Sequence, residues 1–477
     1  MIETTRRDGA PSDDTRPDKS AGTADPLAGF ARVDPSQAGV DADGLVAFLE
    51  AQADAGLDVH SFVMLRHGAV LAEGWAAPYL PTNRQLLYSL SKTFTSAAAG
   101  IAVSERLFGY DDLLVDHFPD LADGASEKAR TITVRNALSM ATGHTTDQYP
   151  MGGPLTRASL RGLFVPGPDG EPGVTFAYNQ LATYSVARIV EQTSGLPLLD
   201  FLNDRLFSTL GITEAGWGRD DEGLALGFSG LHLRTGSIAS FFQLLADGGV
   251  RDGVRLLPEE WIAEHRRKQV ETAGEGNPDW SQGYGWQCWI ARHGYRGDGA
   301  YGQYGIILPE QDVVIAMTGE QDDMQRLLDL VWQHVLPAID REGSADADRR
   351  LVDWLGGWWI DPLSGDAPGS ASGDDGMGGR LDIDGDSLTW TDRDGVVNQS
   401  PLGVDESWTL DTWTWPTGSL DVALSAAATG DGATVVRVMV TSTPHSFTWT
   451  LRPGEPTGFA WRFAPLHGAG PQQLALA

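Results

Sequence analysis

Cysteine, long apolar runs and positive charge are all scarce in this chain of 477 residues, and each scarcity excludes something. There is one cysteine, Cys288, so no intrachain disulfide and no cysteine-rich metal centre can form. A small buried apolar side chain is the role expected of it. No window approaches the roughly 18 continuous apolar residues of a membrane span. Positive charge is sparse too: 34 basic against 65 acidic residues leave a formal charge of −31. That balance argues against nucleic acid and anionic membrane surfaces as partners and favours solubility. The Arg6-Arg7 pair has no apolar core after it, so residues 1–29 read as a disordered polar tail, not an export signal. A soluble cytoplasmic protein is the expectation. Nothing in the sequence calls for a metal or a cofactor.

Lysine is the scarcest charged residue. Only Lys19, Lys92, Lys128 and Lys268 occur, and only Lys92 follows a serine by three positions. The stretch from Leu86 to Ile101 is apolar, Ala-rich and free of proline, which predicts a helix with Ser89 and Lys92 on one face. Serine is a poor nucleophile until a neighbour takes its proton, and a lysine can do so only when burial lowers its pKa toward neutrality. Arginine, which the chain prefers elsewhere, cannot give up its proton. The bland alternative is a chance S-x-x-K whose lysine runs out to solvent.

Around this stretch the pattern is mixed. A capped amphipathic helix is predicted over 41–55, then a hairpin over 61–75 turning at His67-Gly68. Helical segments follow to about Arg266. Short aromatic and β-branched strands come next, at Tyr284–Ile290, Tyr301–Leu308 and Val313–Thr318, and a helix from Met324 to Val335. This order implies an α+β fold: an antiparallel sheet built from both ends of residues 30–341, with a helical block inserted. Gly, Ser, Asp and Pro then mark linker over 342–348 and loop over 361–380. Short alternating runs after them predict an all-β C-terminal domain within residues 342–477. Its nine tryptophans from Trp354 to Trp461 suit a buried core better than a sugar-stacking platform. The linker composition predicts that the first 341 residues fold alone, unless the tryptophan-rich domain covers an apolar face or walls the cleft.

With Ser89, Lys92 and the segment Tyr178-Asn179-Gln180 in view, the chain resembles the penicilloyl serine hydrolases: class C β-lactamases, D-alanyl-D-alanine peptidases and related esterases. The resemblance spans about Phe30 to Ile339 and includes Leu138–His144 and Leu256–Trp261. It implies a class C β-lactamase-like fold and a set of roles. Ser89 would be the acylated nucleophile, Lys92 the amine sharing its proton, and Tyr178 the proton relay to the leaving group. Gln180 stands where the family has the asparagine of its Y-x-N element. The third element, K-T-G or H-x-G in the family, falls on Gly297-Asp298-Gly299, so its cation is missing, and Arg296 or His293 is left to compensate. Asp298 and Gly299 would then border the substrate. The oxyanion hole would use the N–H groups of Ser89 and Ala300.

The expected function is hydrolysis of a small-molecule ester or amide through an acyl-enzyme, with esterase-like activity ahead of β-lactam turnover. A glycine and an aspartate in place of the cation disfavour substrates bearing a carboxylate. The competing readings are a true β-lactamase or D-alanyl peptidase, a catalytically silent ligand-binding homologue, and a carbohydrate- or peptide-binding role for the β domain.

Overall fold

A computed structural model describes residues 4–6, 25–150, 153–466 and 470–476. Most of the predicted N-terminal tail lies outside the described residues. Within the stretch expected to be disordered, residues Thr4–Arg6 form a short strand against Trp358–Ile360 and Leu27 is buried in the core, so its described parts are tied to the fold.

The central sheet has six antiparallel strands. In spatial order they are Ala69–Trp75, Val59–Arg66, Val313–Gly319, Gln303–Leu308, Tyr295–Gly299 and Trp289–Ile290. The predicted hairpin is present, with His67 and Gly68 both at positive φ, as a two-residue turn matched to strand twist requires. Its first strand lies directly beside Val313–Gly319, the last strand of the sheet in sequence, so both ends of residues 30–341 build one layer. Along Val59–Arg66, Val63 and Leu65 point into one core while Phe62 and Met64 point into another. Alternation carries apolar residues to two faces, and both faces are covered.

The first face packs against the helical block, which includes helices Ser91–Ser104, Gln180–Ser194 and Thr235–Ala246. Cys288 is buried there, its thiol donating to the His265 carbonyl at 2.8 Å. The second face is covered by helix Ala42–Asp54, capped by Asp41, together with Met324–Leu330 and Ala345–Gly356. That last helix corrects the linker reading of 342–348. Ser344 caps it, and Ala347, Leu351 and Trp354 recur at helical spacing to meet Leu45 and Phe48 in the same core. Among the described residues no helix is long and apolar enough to cross a membrane.

The C-terminal domain consists of a four-stranded sheet, Ala371–Asp374, Arg380–Asp384, Ser387–Thr391 and Val397–Pro401, and a five-stranded one. The latter runs through Thr409–Trp415, Gly418–Ala428, Thr434–Val440, His445–Leu451 and Gly458–Trp461. Between them Trp390, Trp413, Trp415 and Trp449 are buried. Each indole N–H has a partner: Asp375 for Trp390, Ser400 for Trp413, Asp392 for Trp415 and the Asp375 carbonyl for Trp449. These four rings are core, as composition predicted, with their polar edge satisfied internally.

The two parts share a seam. Ala423 and Met439 of the five-stranded sheet belong to the same core as Phe62 and Trp354. Arg462 pairs with Asp58 at 2.8 Å, and Ser446 donates through its N–H and Oγ to Glu320 at 2.9 and 2.6 Å.

Candidate active site

Ser89 lies in a single 3₁₀ turn, Tyr88–Leu90, and the α-helix proper starts at Ser91. The uniform helix expected across this stretch is therefore broken at its start: Tyr88 is held at φ +46°, outside the helical region. Lys92, in the helix's first turn, is 1% exposed. It does not run out to solvent. Its Nζ lies 2.9 Å from Ser89 Oγ and 2.8 Å from the Phe228 carbonyl, and 4.8 Å from the centre of the Tyr178 ring. Burial lowers its pKa to about 7, against the smaller opposing pull of Asp147 and Asp298. A lysine in that state can accept a proton.

Tyr178 precedes helix Gln180–Ser194, whose N-terminus is capped by Asn179 Oδ1 accepting from Leu181 N at 3.1 Å. Its ring stacks on Trp289, with centroids 5.5 Å apart. Burial raises its pKa well above the usual phenol value, and a hydrogen bond with Ser89 only partly opposes this. Tyr178 is thus a neutral phenol near pH 7, and of the two groups only Lys92 lies close to neutrality.

The strand Tyr295–Gly299, next to the edge of the central sheet, lies across the Ser89 turn. A Cβ at Gly299 would sit 2.0 Å from the Leu87 carbonyl oxygen, and one at Gly297 would sit 2.6 Å from Leu90 Cδ1. Both glycines permit that approach. Between them Asp298 lines the cleft, 7% exposed, with its pKa raised by burial and its carboxylate 3.0 Å from Arg296 Nη2.

Neither candidate for the missing cation takes its place. Arg296 is fully buried behind Asp298, donates to the Asp279 carbonyl at 2.9 Å and lies over the Trp280 ring, so its charge is turned inward. His293 is exposed and edge-on to Trp332, 5.1 Å away. Gln180 also stands back: its N–H donates to Asp147 at 2.9 Å, and it does not line the cleft. Gly299 supports the turn from beneath.

The cleft measures about 430 Å³ and is bordered by Ser89, Tyr178, Asp298 and Ala300. The sequence reading missed its other walls: Trp280 and Trp289 as aromatic sides, and Glu275, Asp322 and Asp323 as acids beside Asn277 and Gln325. Every charged residue lining it is acidic. Asp323 also caps the next helix, accepting from Arg326 N at 3.0 Å, so in sequence it reads as a helix start. Asp147, near enough to act on Lys92, was missed as well.

Fold and cleft together define a serine hydrolase. The family model for beta-lactamases matches residues 47–336, more than half of the chain, and the chain belongs to that family. It is 23% identical over 286 residues to the 6-aminohexanoate-dimer hydrolase of Paenarthrobacter ureafaciens, an overlap of 55% of this chain and 73% of that protein. Among solved structures, a Bacillus anthracis protein described as a 6-aminohexanoate-dimer hydrolase is 20% identical with a TM-score of 0.51, over 72% of this chain and 92% of that one. EstCE1, a hydrolase with promiscuous acyltransferase activity, is 18% identical with a TM-score of 0.52, over 62% and 99%. At these identities the structural matches speak for the fold.

Proposed function

We propose that this hydrolase cleaves small esters or amides through an acyl-enzyme on Ser89, and that it prefers neutral or cationic substrates to those bearing a carboxylate. The observation that carries the reading is the 2.9 Å Ser89–Lys92 contact at the floor of a cleft whose charged lining is entirely acidic. In the acylation step Ser89 Oγ attacks the substrate carbonyl carbon while its proton passes to the neutral Lys92 amine. The carbonyl oxygen takes the negative charge and is met by the N–H groups of Ser89 and Ala300. As the tetrahedral intermediate collapses, the Tyr178 phenol protonates the departing oxygen or nitrogen and regains a proton from the Lys92 ammonium. Water repeats the sequence against the acyl group. Each proton transfer contributes on the order of 10²–10⁴ in rate.

Carboxylate-bearing substrates such as cephalosporins or D-alanyl peptides need a cation at the third element. Here that position is Gly297, and the nearby cation, Arg296, is buried and already paired with Asp298, so none is offered to a substrate carboxylate. The Paenarthrobacter relative is named for a dimer of an amino acid, which ends in an ammonium and a carboxylate; only the ammonium-bearing acyl part is one that the acidic lining, Glu275, Asp322 and Asp323, would attract.

Intact-protein mass spectrometry tests the nucleophile. A fluorophosphonate should add one adduct to the wild type and none to Ser89→Ala, whose turnover should fall by about 10⁵–10⁶ with little change in Tm. An adduct persisting in Ser89→Ala would sink the assignment. The charge preference is tested by kcat/KM for an uncharged nitrophenyl ester against a chromogenic cephalosporin, and a clear preference for the cephalosporin refutes it.

A further inference from the structure

Two tyrosines flank the two backbone N–H groups at the cleft, and both reach into the C-terminal domain. Tyr88 is bonded to Ser89 and Tyr301 to Ala300, and each sits in the left-handed region, at φ +46° and +68°. Non-glycine residues adopt that conformation at a cost, and keep it only where the surroundings impose it. Both side chains are held by the C-terminal domain. The Tyr88 hydroxyl lies 2.6 Å from His445 Nε2, and the Tyr301 hydroxyl donates to the Ala464 carbonyl at 2.7 Å.

The direction of the first bond follows from its neighbours. His445 Nδ1 lies 2.9 Å from the Phe463 carbonyl, which can only accept, so Nδ1 carries the proton. Burial lowers the His445 pKa to about 4, so the ring is neutral and Nε2 is an acceptor for Tyr88 O–H. The three rings also pack edge to face: Tyr88 and Tyr301 at 5.4 Å, Tyr301 and His445 at 4.9 Å, Tyr88 and His445 at 5.7 Å. One step upstream, Leu86 N donates to the Ser442 carbonyl at 3.0 Å and Gln85 Nε2 to the Thr441 carbonyl at 2.7 Å. The backbone entering the nucleophile turn is thus held from the same side.

We infer that the C-terminal β domain sets the geometry of the oxyanion hole, with His445 and the Ala464 carbonyl as positioning groups acting through Tyr88 and Tyr301. The inference rests on the reading of Ser89 and Ala300 as the oxyanion donors. The peptide unit carrying the Ser89 N–H is joined to Tyr88, so a rotation released at Tyr88 turns that N–H, and loosening Tyr301 frees the chain just after Ala300. An oxyanion hole works because its donors are fixed before charge develops, so released donors slow the chemical step without weakening ground-state binding.

The test uses the full chain with Tyr88→Phe, Tyr301→Phe and the double variant, which keep the rings and remove only the hydroxyls. Arg437→Gln, which removes the bond from the five-stranded sheet to the Asp361 carbonyl and touches neither tyrosine, reports general loosening. For an uncharged nitrophenyl ester the double variant should lose about 10- to 100-fold in kcat, with KM within about twofold. Its affinity for phenylboronic acid, a mimic of the tetrahedral oxyanion, should fall by the same factor. Arg437→Gln should lower Tm and leave kcat within about twofold. A double variant with wild-type kcat and boronate affinity overturns the inference, as does a kcat that follows Tm alike in all four variants. Wild-type protein that takes no fluorophosphonate label would remove the Ser89 reading itself and this inference with it, whereas a labelled wild type with an unaffected double variant removes this inference alone.

Discussion

Lys92 and Glu320 are both charged groups taken out of water, and burial moves both toward neutrality, Lys92 down to about 7 and Glu320 up to about 8. Around Lys92 the polar partners are a serine and a carbonyl, and the serine opens on a cleft. Around Glu320 the site is sealed. Asp58 and His60 beside it are fully buried, Tyr79 stacks on His60 at 3.8 Å, and Ser446 occupies both carboxylate oxygens. Asp58, His60 and Glu320 bring ligand atoms within 4.8 Å of one another, a spacing suited to a cation, but the Arg462 guanidinium already supplies positive charge 2.8 Å from Asp58. A displaced pKa therefore marks desolvation in both places, and function only where a reactive atom meets open space. One cluster has the geometry that proton transfer would need, and the other ties the five-stranded sheet to the central one.

Breaking the seam outright should have the largest effect. Ending the chain after residue 341 removes Ala347, Leu351 and Trp354 from the core they share with Leu45 and Phe48, and uncovers Phe62. Losing several fully buried side chains at about 2–5 kcal/mol each exceeds the stability of an ordinary domain. The truncated protein is expected to be insoluble, contrary to what linker composition implied. A soluble, cooperatively melting fragment would show that the seam is only a contact.

At the cleft, Lys92→Arg keeps the charge and removes the ability to release a proton, so kcat/KM should fall by about 10²–10⁴, nearly as far as in Lys92→Ala. Wild-type activity should rise with pH through about 7 as Lys92 becomes neutral. Arginine retaining most of the rate would mean that Lys92 serves only as a fixed positive charge.

The seam should answer to pH through stability instead. The folded value of Glu320 is about 8 and that of an ordinary glutamate is 4.5, so the folded chain holds a proton that the unfolded chain releases between them. The stabilising contribution is complete below about pH 4.5 and is lost as pH rises through about 8. Burial is the main cause and the Asp58 charge adds to it, while Ser446 and Arg462 oppose. Glu320→Gln fixes the uncharged shape. Its Tm should fall less than wild type between pH 5 and 9, with kcat unchanged, and an identical Tm slope would refute the assignment.

Much of the cleft's floor was legible because its signals are local. Three-residue spacing joined Ser89 to Lys92, and strand alternation with a two-residue turn gave the hairpin. Tyr178 came through resemblance. The rest is brought together by topology: Tyr88 and His445 are 357 positions apart, and no pattern within either segment links them. The acidic wall is drawn from residues 275, 298, 322 and 323, loop and strand positions without a shared period. Helix Ala345–Gly356 is a different case, since its cap at Ser344 and its apolar spacing were present in the sequence, beneath a composition that read as linker.

The smallest effect expected, and the one that most sharpens the contrast, lies at the rim. Asp322 and Asp323 line the cleft but are exposed, so their attraction for a cationic substrate is screened by water and salt. Exposed pairs are worth about 0.2–1 kcal/mol, or roughly 1.4- to 5-fold in a rate constant. Asparagine at 323 still accepts the Arg326 N–H that caps the following helix, so a double change, Asp322→Asn with Asp323→Asn, alters charge without unwinding it. The quantity to measure is the ratio of kcat/KM for an ammonium-bearing ester to that for its neutral isostere. In wild type the ratio should fall as salt rises from 0.02 to about 0.5 M, where the Debye length shortens to a few ångströms. The double variant should begin lower and respond less to salt. A ratio indifferent to both would mean that the rim carboxylates do not act on the substrate.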